Sequence, residues 1–199
     1  MSDNPAPKTV GFAVLTISDT RDESTDTSGA YLIDAIREAD HAVIDRAIVR
    51  DEKEAIALKL EQWIADPAIH AVISTGGTGL TGRDITPEVF KTFYDKEIEG
   101  FSVVFHMVSF ESVGVSTLQS RATAGIAGET FLFALPGSSG AVRDGWEKVL
   151  RAEFDPEHKP CNLIEMIPRL GEKRDFSPPH DHRGRGACPH RGGAVAAGR

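Results

Sequence analysis

Short apolar runs of strand length alternate along the chain with segments whose apolar side chains recur at helical spacing. Residues 10–18 form an apolar, β-branched run that predicts a first strand, and residues 42–49 and 68–75 predict two more. Residues 30–40 and 51–66 lie between these runs and place apolar side chains every three or four positions, which predicts amphipathic helices. This alternation is typical of an α/β fold with a parallel or mixed sheet and helices on both faces.

The second half of the chain continues the pattern less regularly. Helices are predicted at 86–95 and 100–114, and two short strands at 123–137 around a Gly-Glu turn. Residues 138–154 predict a final helix whose first half contains two glycines. The predicted elements therefore fill the chain as far as residue 154.

The composition changes near the C-terminus. From Gly171 onward Gly, Pro, His and Arg dominate, and aromatic side chains almost vanish. Such a composition is typical of disordered segments. We therefore expect a flexible N-terminus at 1–8, one folded domain at 9–168 and a disordered tail at 169–199.

The overall charge argues against nucleic-acid binding, because 30 acidic and 22 basic side chains give the 199 residues a formal net charge of −8. No apolar run approaches the ~20 residues that a membrane span requires. The N-terminus lacks the basic and apolar regions of a secretory signal, and Cys161 and Cys188 form no disulfide framework. We therefore expect a cytoplasmic protein with neither a nucleic-acid nor a membrane partner.

Polar loops follow four of the predicted strands. Ser18–Arg21 follows the first strand, Arg50–Asp51 the second, residues 76–84 the third and Pro136–Ser139 the last. Ligands of open α/β sheets bind beyond the carboxyl ends of the parallel strands. The four loops are therefore expected to converge on one site, where backbone N–H groups, hydroxyls and arginines receive an anion.

The segment STGGTGLTGRDITPE (74–88) contains two overlapping phosphate-binding patterns. Three of its glycines fit the dinucleotide fingerprint, but that pattern needs a helix that opens within it, whereas Thr86, as the N-cap before a proline, predicts a later start. The P-loop pattern also fails, because Arg83 replaces its lysine and Asp84 its magnesium-binding hydroxyl. We expect an anion cradle of neither class, and the alternative is a tight strand-to-helix turn.

Two aspartates at this edge are candidate functional carboxylates. Asp84 lies outside the predicted helix and has no evident structural role, so we expect it to act on the ligand. Asp51 has two compatible interpretations, because it ends a strand at the same edge and, with Glu54, has the D-x-x-E spacing of a helix cap. Ser138 either caps the last helix or holds a phosphate, and Asp19 either forms a local turn or acts at the site.

The loop segments together resemble the molybdenum cofactor biosynthesis proteins of the MoaB/Mog family. The resemblance runs from about residue 9 to 165, and the glycine loop followed by R-D-x-T-P is highly specific. TLQSRA and HKPCNL look more like the MoaB branch than the Mog branch. The other matching segments are TISDTR, IVRDEKEAI, EGFSVVFHMVSF and FALPGSSGAV.

The resemblance implies a three-layer α/β/α sandwich with a mostly parallel mixed sheet, assembled as homotrimers or homohexamers. It also implies a transferase that binds molybdopterin, a pterin with a dithiolene and a terminal phosphate. The implied reaction moves AMP from Mg-ATP to that phosphate and releases pyrophosphate. The alternative is a non-catalytic protein of the same pathway that binds molybdopterin or a precursor.

The resemblance also implies roles for individual residues. Asp51 and Asp84 match the family's two functional aspartates, which makes them the expected catalytic residues and Mg²⁺ ligands. The presence of both acids favours activity. The residues that match the family's ligand-cradling segments are Gly76, Gly77, Thr78, Gly79, Pro136, Gly137 and Ser138. Together with Ser18, Asp19 and Arg21 at the first strand end, they are expected to bind the pterin and nucleotide phosphates.

Overall fold

Six strands form one mixed sheet in the computed structural model, which describes residues 6–172. They are β1 (Gly11–Ile17), β2 (Ala42–Val49), β3 (Ala71–Thr75), β4 (Lys96–Glu97), β5 (Thr123–Ala127) and β6 (Thr130–Leu135). Their order is β2-β1-β3-β6-β5-β4, parallel from β2 to β6, with β5 antiparallel to both of its neighbours. The mostly parallel mixed sheet is thereby confirmed.

Helices cover both faces of this sheet. They are α1 (Thr27–Glu38), α2 (Lys53–Ile64), α3 (Thr86–Lys91), α4 (Glu99–Val113) and α5 (Ser139–Gly145), which continues through a π-helical turn at Trp146–Leu150 into α6 (Arg151–Glu153). One core cluster joins the sheet to α1, α4 and α5, and a second joins it to α2 and α3. The fold is therefore an α/β/α sandwich.

The alternation of side chains along β1 explains why this strand is apolar throughout. Phe12 and Val14 are fully buried in the core cluster that includes α1, whereas Ala13 and Leu15 are fully buried in the cluster that includes α2. A strand covered on both faces needs apolar residues at every position. A slip of one residue would exchange the two sets, so burial fixes where the strand ends and its polar loop begins.

Helix α3 is shorter than the sequence predicts. The helix predicted at 86–95 ends at Lys91. The chain then turns, and the backbone N–H of Asp95 donates to the Ile126 carbonyl at 2.8 Å, next to the pairing of β4 with β5. Pairing with the sheet therefore outweighs the helical pattern of these residues.

Helix α4 corrects the expectation that no apolar run is long enough to span a membrane. With the following 3₁₀ helix at Gly114–Gln119 it forms a 21-residue segment that is long and apolar enough to span a membrane. Only 22% of the most apolar part of this segment is buried. However, Phe101 and Phe105 pack into the core, and the Phe101 ring contacts Phe133 of β6. The segment forms an outer layer of the sandwich, with one side in the core.

The end of the described chain packs back onto the sandwich. Leu170 lies against a core cluster, and Arg169 pairs with Glu172 at 3.1 Å. The rest of the tail predicted at 169–199 lies outside the described residues, as do residues 1–5 of the predicted flexible N-terminus.

Candidate functional site

A cavity of about 380 Å³ lies at the carboxyl edge of the sheet, between the loops that follow β1, β3 and β6. Hydroxyl side chains and loop backbone dominate its wall, and such groups suit an oxyanion such as phosphate. The structure brings five of the predicted binding residues to this wall, namely Ser18, Arg21, Gly76, Gly137 and Ser138. The rest of the wall is Thr16, Ile17, Asp26, Ser28 and Thr75.

The glycine loop begins with two positions that require glycine. Gly76 and Gly77 have φ angles of 108° and 63°, where a side chain is strained. A Cβ on Gly76 would meet the Ile17 carbonyl oxygen at 2.2 Å, and one on Gly77 would meet the Thr86 hydroxyl at 2.2 Å. The prediction of Thr86 as the N-cap of α3 is wrong, because Ile85 holds that position and the Thr86 hydroxyl donates to the Gly76 carbonyl at 3.0 Å.

Asp84 closes the other end of the loop. Its Oδ2 accepts from the backbone N–H of Thr81 at 2.9 Å and from the Thr81 hydroxyl at 2.6 Å. The side-chain hydroxyl of Thr81 is the main cause that holds the pKa of Asp84 below its usual value, so the group is ionised at neutral pH. The expectation that Asp84 has no structural role is therefore wrong, since the carboxylate also fixes its own loop.

Asp51 approaches the glycine loop from the end of β2. The capping interpretation is wrong, because the N-cap of α2 is Glu52 and this helix has no side-chain capping bond. Asp51 Oδ1 is buried without a hydrogen-bond partner, and a Cβ on Gly77 would lie 3.0 Å from Oδ2. Burial, with the nearby charges of Asp84 and Asp19, raises the pKa of Asp51 above its usual value.

The loop after β1 is folded by its own polar groups. Asp19 pairs with Arg83 of the glycine loop and accepts weakly from the backbone N–H of Asp51 at 3.4 Å, so it links three loops rather than forming a turn of its own. The Ser18 hydroxyl accepts from the backbone N–H of Arg21 at 3.2 Å, and the Arg21 guanidinium donates to the Thr25 carbonyl at 3.2 Å. Through Asp19, the loop after β1 is therefore tied to the glycine loop and to the loop after β2 at the carboxyl edge of the sheet.

The Pro-Gly-Ser loop after β6 is held against the glycine loop. The Thr75 hydroxyl donates to the Pro136 carbonyl, and the Ser28 hydroxyl donates to the Gly137 carbonyl, each at 3.1 Å. A Cβ on Gly137 would lie 3.2 Å from Gly76 Cα, so the two backbones are in close approach. Ser138 caps α5, since its hydroxyl accepts from a backbone N–H three residues on at 3.2 Å, and it also lines the cavity.

Comparison with known proteins decides the family. The probable molybdopterin binding domain family matches residues 13–156. The chain belongs to this family.

Relatives and solved structures agree with this membership. The molybdenum cofactor biosynthesis protein B of Escherichia coli K12 is 49% identical over 152 residues, which cover 76% of this chain and 89% of that protein. A crystal structure of a molybdenum cofactor biosynthesis protein B has a TM-score of 0.72 at 43% identity, over 74% of this chain and 92% of that one. The tungsten cofactor synthesizing protein MoaB of Pyrococcus furiosus has a TM-score of 0.65 at 39% identity, over 72% and 92%. The chain therefore has a role in molybdenum cofactor biosynthesis.

Asp26 also lines the cavity, although it was not predicted from the sequence as a site residue. It is 1% exposed, and its Oδ2 accepts from the Thr16 hydroxyl at 2.7 Å and from Arg46 at 3.0 Å. Its Oδ1 accepts from the backbone N–H of Gly29 at 2.9 Å, which caps α1. The signal was present in the sequence, because an aspartate directly before an apolar-periodic segment is a typical N-cap.

Two arginines have roles that the sequence did not reveal. Arg121, two residues before β5, donates through Nε to the Gly79 carbonyl at 2.8 Å and pairs with Glu88. Arg143 of α5 lies over the ring of Tyr31, with the centre of its guanidinium 4.4 Å from the ring centroid. A lone arginine carries no sequence signal for either arrangement, because both depend on residues more than 30 positions away.

The fit of a metal ion rests on the two aspartates. Within residues 6–172, no group of three or more His, Cys, Asp and Glu side chains is arranged to hold a metal ion. Mg²⁺ commonly binds through one or two carboxylates and substrate phosphates, so a pair is enough when a nucleotide is present. The unpaired Oδ1 of Asp51 and the mutual repulsion of Asp51 and Asp84 are what a bound cation would relieve.

Proposed function

We propose that the chain binds molybdopterin in the cytoplasm and transfers AMP from Mg-ATP to its terminal phosphate. The phosphate oxygen attacks the α-phosphorus of ATP, the bond to the β-phosphate breaks, and pyrophosphate leaves. The observation that carries the proposal is the pair of carboxylates beside the glycine loop, one with a lowered and one with a raised pKa. Such pairs are common where charge must be organised for a reaction.

The residues of the site have different roles in bringing the two anionic substrates together. Backbone N–H groups of Gly77 and Thr78 and the hydroxyls of Ser18 and Ser138 bind phosphate oxygens, and Arg21 supplies positive charge. Asp51 and Asp84 hold the Mg²⁺ of Mg-ATP. Mg²⁺ supplies charge neutralisation for the transferred group when it is bound. No covalent nucleophile is needed, because the acceptor phosphate is itself the nucleophile.

The second candidate is a protein of the same pathway that binds molybdopterin or a precursor without adenylating it. The names of the relatives state a biosynthetic role and do not name a reaction. The presence of both aspartates, Asp84 in the glycine loop and Asp51 beside it, favours the enzyme.

Incubation with molybdopterin and Mg-ATP is expected to yield adenylylated molybdopterin and one pyrophosphate for each adduct, measured by mass spectrometry and a coupled phosphate assay. Omission of Mg²⁺ should stop the reaction, because the two phosphates then repel each other without a bridging charge. Pterin binding without adduct or pyrophosphate would instead establish the binding protein. ATP binding without pterin binding would exclude both candidates.

We also propose that the protein assembles as a homotrimer or homohexamer through the exposed side of α4. Seven of the large apolar side chains that stand exposed lie on α4 and the 3₁₀ helix after it, and a concentration of this kind commonly marks an interface. They are Val103, Val104, Met107, Phe110, Val113, Val115 and Leu118, here called the α4 apolar face. The two sides of α4 then have different roles, one in the core and one between copies.

Replacement of Met107 and Phe110 together by glutamate is expected to reduce the protein to single chains, because assembly of a trimer would then bury six carboxylates, each of which would have to lose its hydration. These two side chains are 65% and 56% exposed. The mass is measured by sedimentation equilibrium. Leu58→Glu is the matched control, since Leu58 is 58% exposed but lies on α2 at the other face of the sheet. A wild-type monomer, or an unchanged mass in the double variant, would exclude this interface.

A further inference from the structure

Arg121 makes an unusual set of contacts with the glycine loop. Its backbone N–H donates to the Thr78 carbonyl at 3.0 Å. Its guanidinium donates through Nε to the Gly79 carbonyl at 2.8 Å and through Nη2 to the Asp84 carbonyl at 2.6 Å, while Nη1 pairs with Glu88. One residue therefore holds three carbonyl groups of the loop, and the loop itself lies about 40 positions earlier in the sequence.

These contacts fix the direction of N–H groups as well as carbonyls. In a planar trans peptide the C=O of one residue and the N–H of the next point in opposite directions. A carbonyl of Thr78 turned toward Arg121 therefore turns the N–H of Gly79 away from it, and a carbonyl of Asp84 so turned does the same for the N–H of Ile85.

The two N–H groups turned away act on the two site aspartates. The N–H of Gly79 favours the ionised form of Asp84 and contributes to its lowered pKa. A Cβ on Gly79 would lie 2.7 Å from Asp84 Oδ2, which confirms how near this backbone is to the carboxylate. The N–H of Ile85 favours the ionised form of Asp51, against the burial that raises the pKa of that group.

We propose that Arg121 is a positioning residue that orients both site carboxylates through the loop backbone: its own N–H fixes the peptide plane 78–79, and its guanidinium fixes the planes 79–80 and 84–85. It touches neither carboxylate by a hydrogen bond of its own, so it acts through the loop backbone. Its relevance to AMP transfer rests on the proposed function, whereas its control of the loop does not.

The chemistry of arginine explains why lysine would replace it only in part at this position. The guanidinium is planar, permanently charged and carries its donors in a fixed fork, so one group serves Gly79, Asp84 and Glu88 together. A lysine ammonium is a single donor centre on a flexible stem and cannot span the same three acceptors with the same geometry. Donation by the charged guanidinium also polarises the peptides 79–80 and 84–85, which strengthens their N–H groups as donors.

The test compares Arg121→Ala and Arg121→Lys with the wild type by hydrogen–deuterium exchange and by AMP-transfer kinetics. In Arg121→Ala, exchange of the peptide that covers residues 76–86 is expected to rise about tenfold without substrates, with little change in strands β1 and β3. The value of kcat is expected to fall about a hundredfold with a smaller change in KM, because the groups are misplaced rather than removed. Arg121→Lys should restore part of both.

Arg143→Ala is the matched control, since this arginine contacts the Tyr31 ring instead of the loop. Wild-type exchange and kcat in Arg121→Ala would overturn the proposal, and so would exchange that rises equally over the whole chain. If Arg121→Ala does not fold, Arg121→Lys decides by the same two criteria. A wild type that transfers no AMP would refute the proposed function alone, because the exchange measurement still reports on Arg121.

Discussion

Asp84→Asn is expected to lower kcat for AMP transfer about a thousandfold while the melting temperature changes little. Asparagine keeps an oxygen that can accept from the Thr81 N–H and hydroxyl, so the turn that Asp84 closes is preserved. What the substitution removes is the negative charge. Because the pKa of Asp84 is lowered, that charge is present throughout the neutral range, and its loss cannot be compensated by a change of pH.

The control for this substitution is Asp22→Asn. Asp22 accepts from the backbone N–H of Ser24 at 2.9 Å and from its hydroxyl at 2.6 Å, and the same kind of hydroxyl contact lowers its pKa. It therefore shares the local bonding of Asp84 without its place beside the glycine loop. Equal loss of turnover in both variants, or more than about a tenth of wild-type turnover in Asp84→Asn, would contradict a catalytic role for Asp84.

The ends of the strands could be predicted from the sequence because the apolar and β-branched runs stop there and polar loops begin. β2 spans the predicted residues 42–49, and the two strands around the Gly128–Glu129 turn lie within the predicted 123–137. Once the strands are parallel, their carboxyl ends meet at one edge without further information. Three of the four polar loops meet at one cavity, which required only the alternation of apolar segments, whereas the loop after β2 lies outside the wall of this cavity.

The contacts within the site could not be predicted in the same way, because each is set by a partner that is distant in sequence. The Thr86 hydroxyl bonds to Gly76 instead of capping its own helix, and this contact exists only when the glycine loop has folded back. Asp51 has the spacing of a cap, yet its buried Oδ1 remains unpaired. Local propensity predicts local hydrogen bonds, and at this site the tertiary arrangement replaces them.

The face of α4 that stands outside the core shows the same limit for a different reason. The apolar residues of α4 are interrupted by Ser102, Ser109 and Glu111, so the sequence does not present an unbroken run. In the structure, Phe101 and Phe105 enter the core while Met107 and Phe110 remain exposed. Periodicity indicates that a helix has an apolar side. It does not indicate that a second apolar side remains exposed to solvent in the folded chain.

Asp51→Asn is expected to lower turnover about a hundredfold while leaving the protein as stable as the wild type or more so. A carboxyl whose pKa is raised on folding favours the folded state less when it is ionised. Stability should therefore increase as the pH falls through the raised pKa, and at neutral pH the charge of Asp51 opposes folding. Asparagine removes that charge, so the melting temperature of the variant should match or exceed the wild type at neutral pH and converge with it in acid.

The response to magnesium separates a role of Asp51 in holding the bound nucleotide from a purely structural role of its carboxylate. Since Asp51 is expected to hold Mg²⁺ together with the substrate phosphates, Mg-ATP should raise the melting temperature of the wild type more than that of Asp51→Asn. Glu52→Gln is the matched control, because Glu52 is the N-cap of α2 without a capping bond and its pairing with Arg50 at 3.9 Å is exposed. A variant Asp51→Asn that melts lower at every pH and responds fully to Mg-ATP would show that the carboxylate stabilises the fold instead of the bound nucleotide.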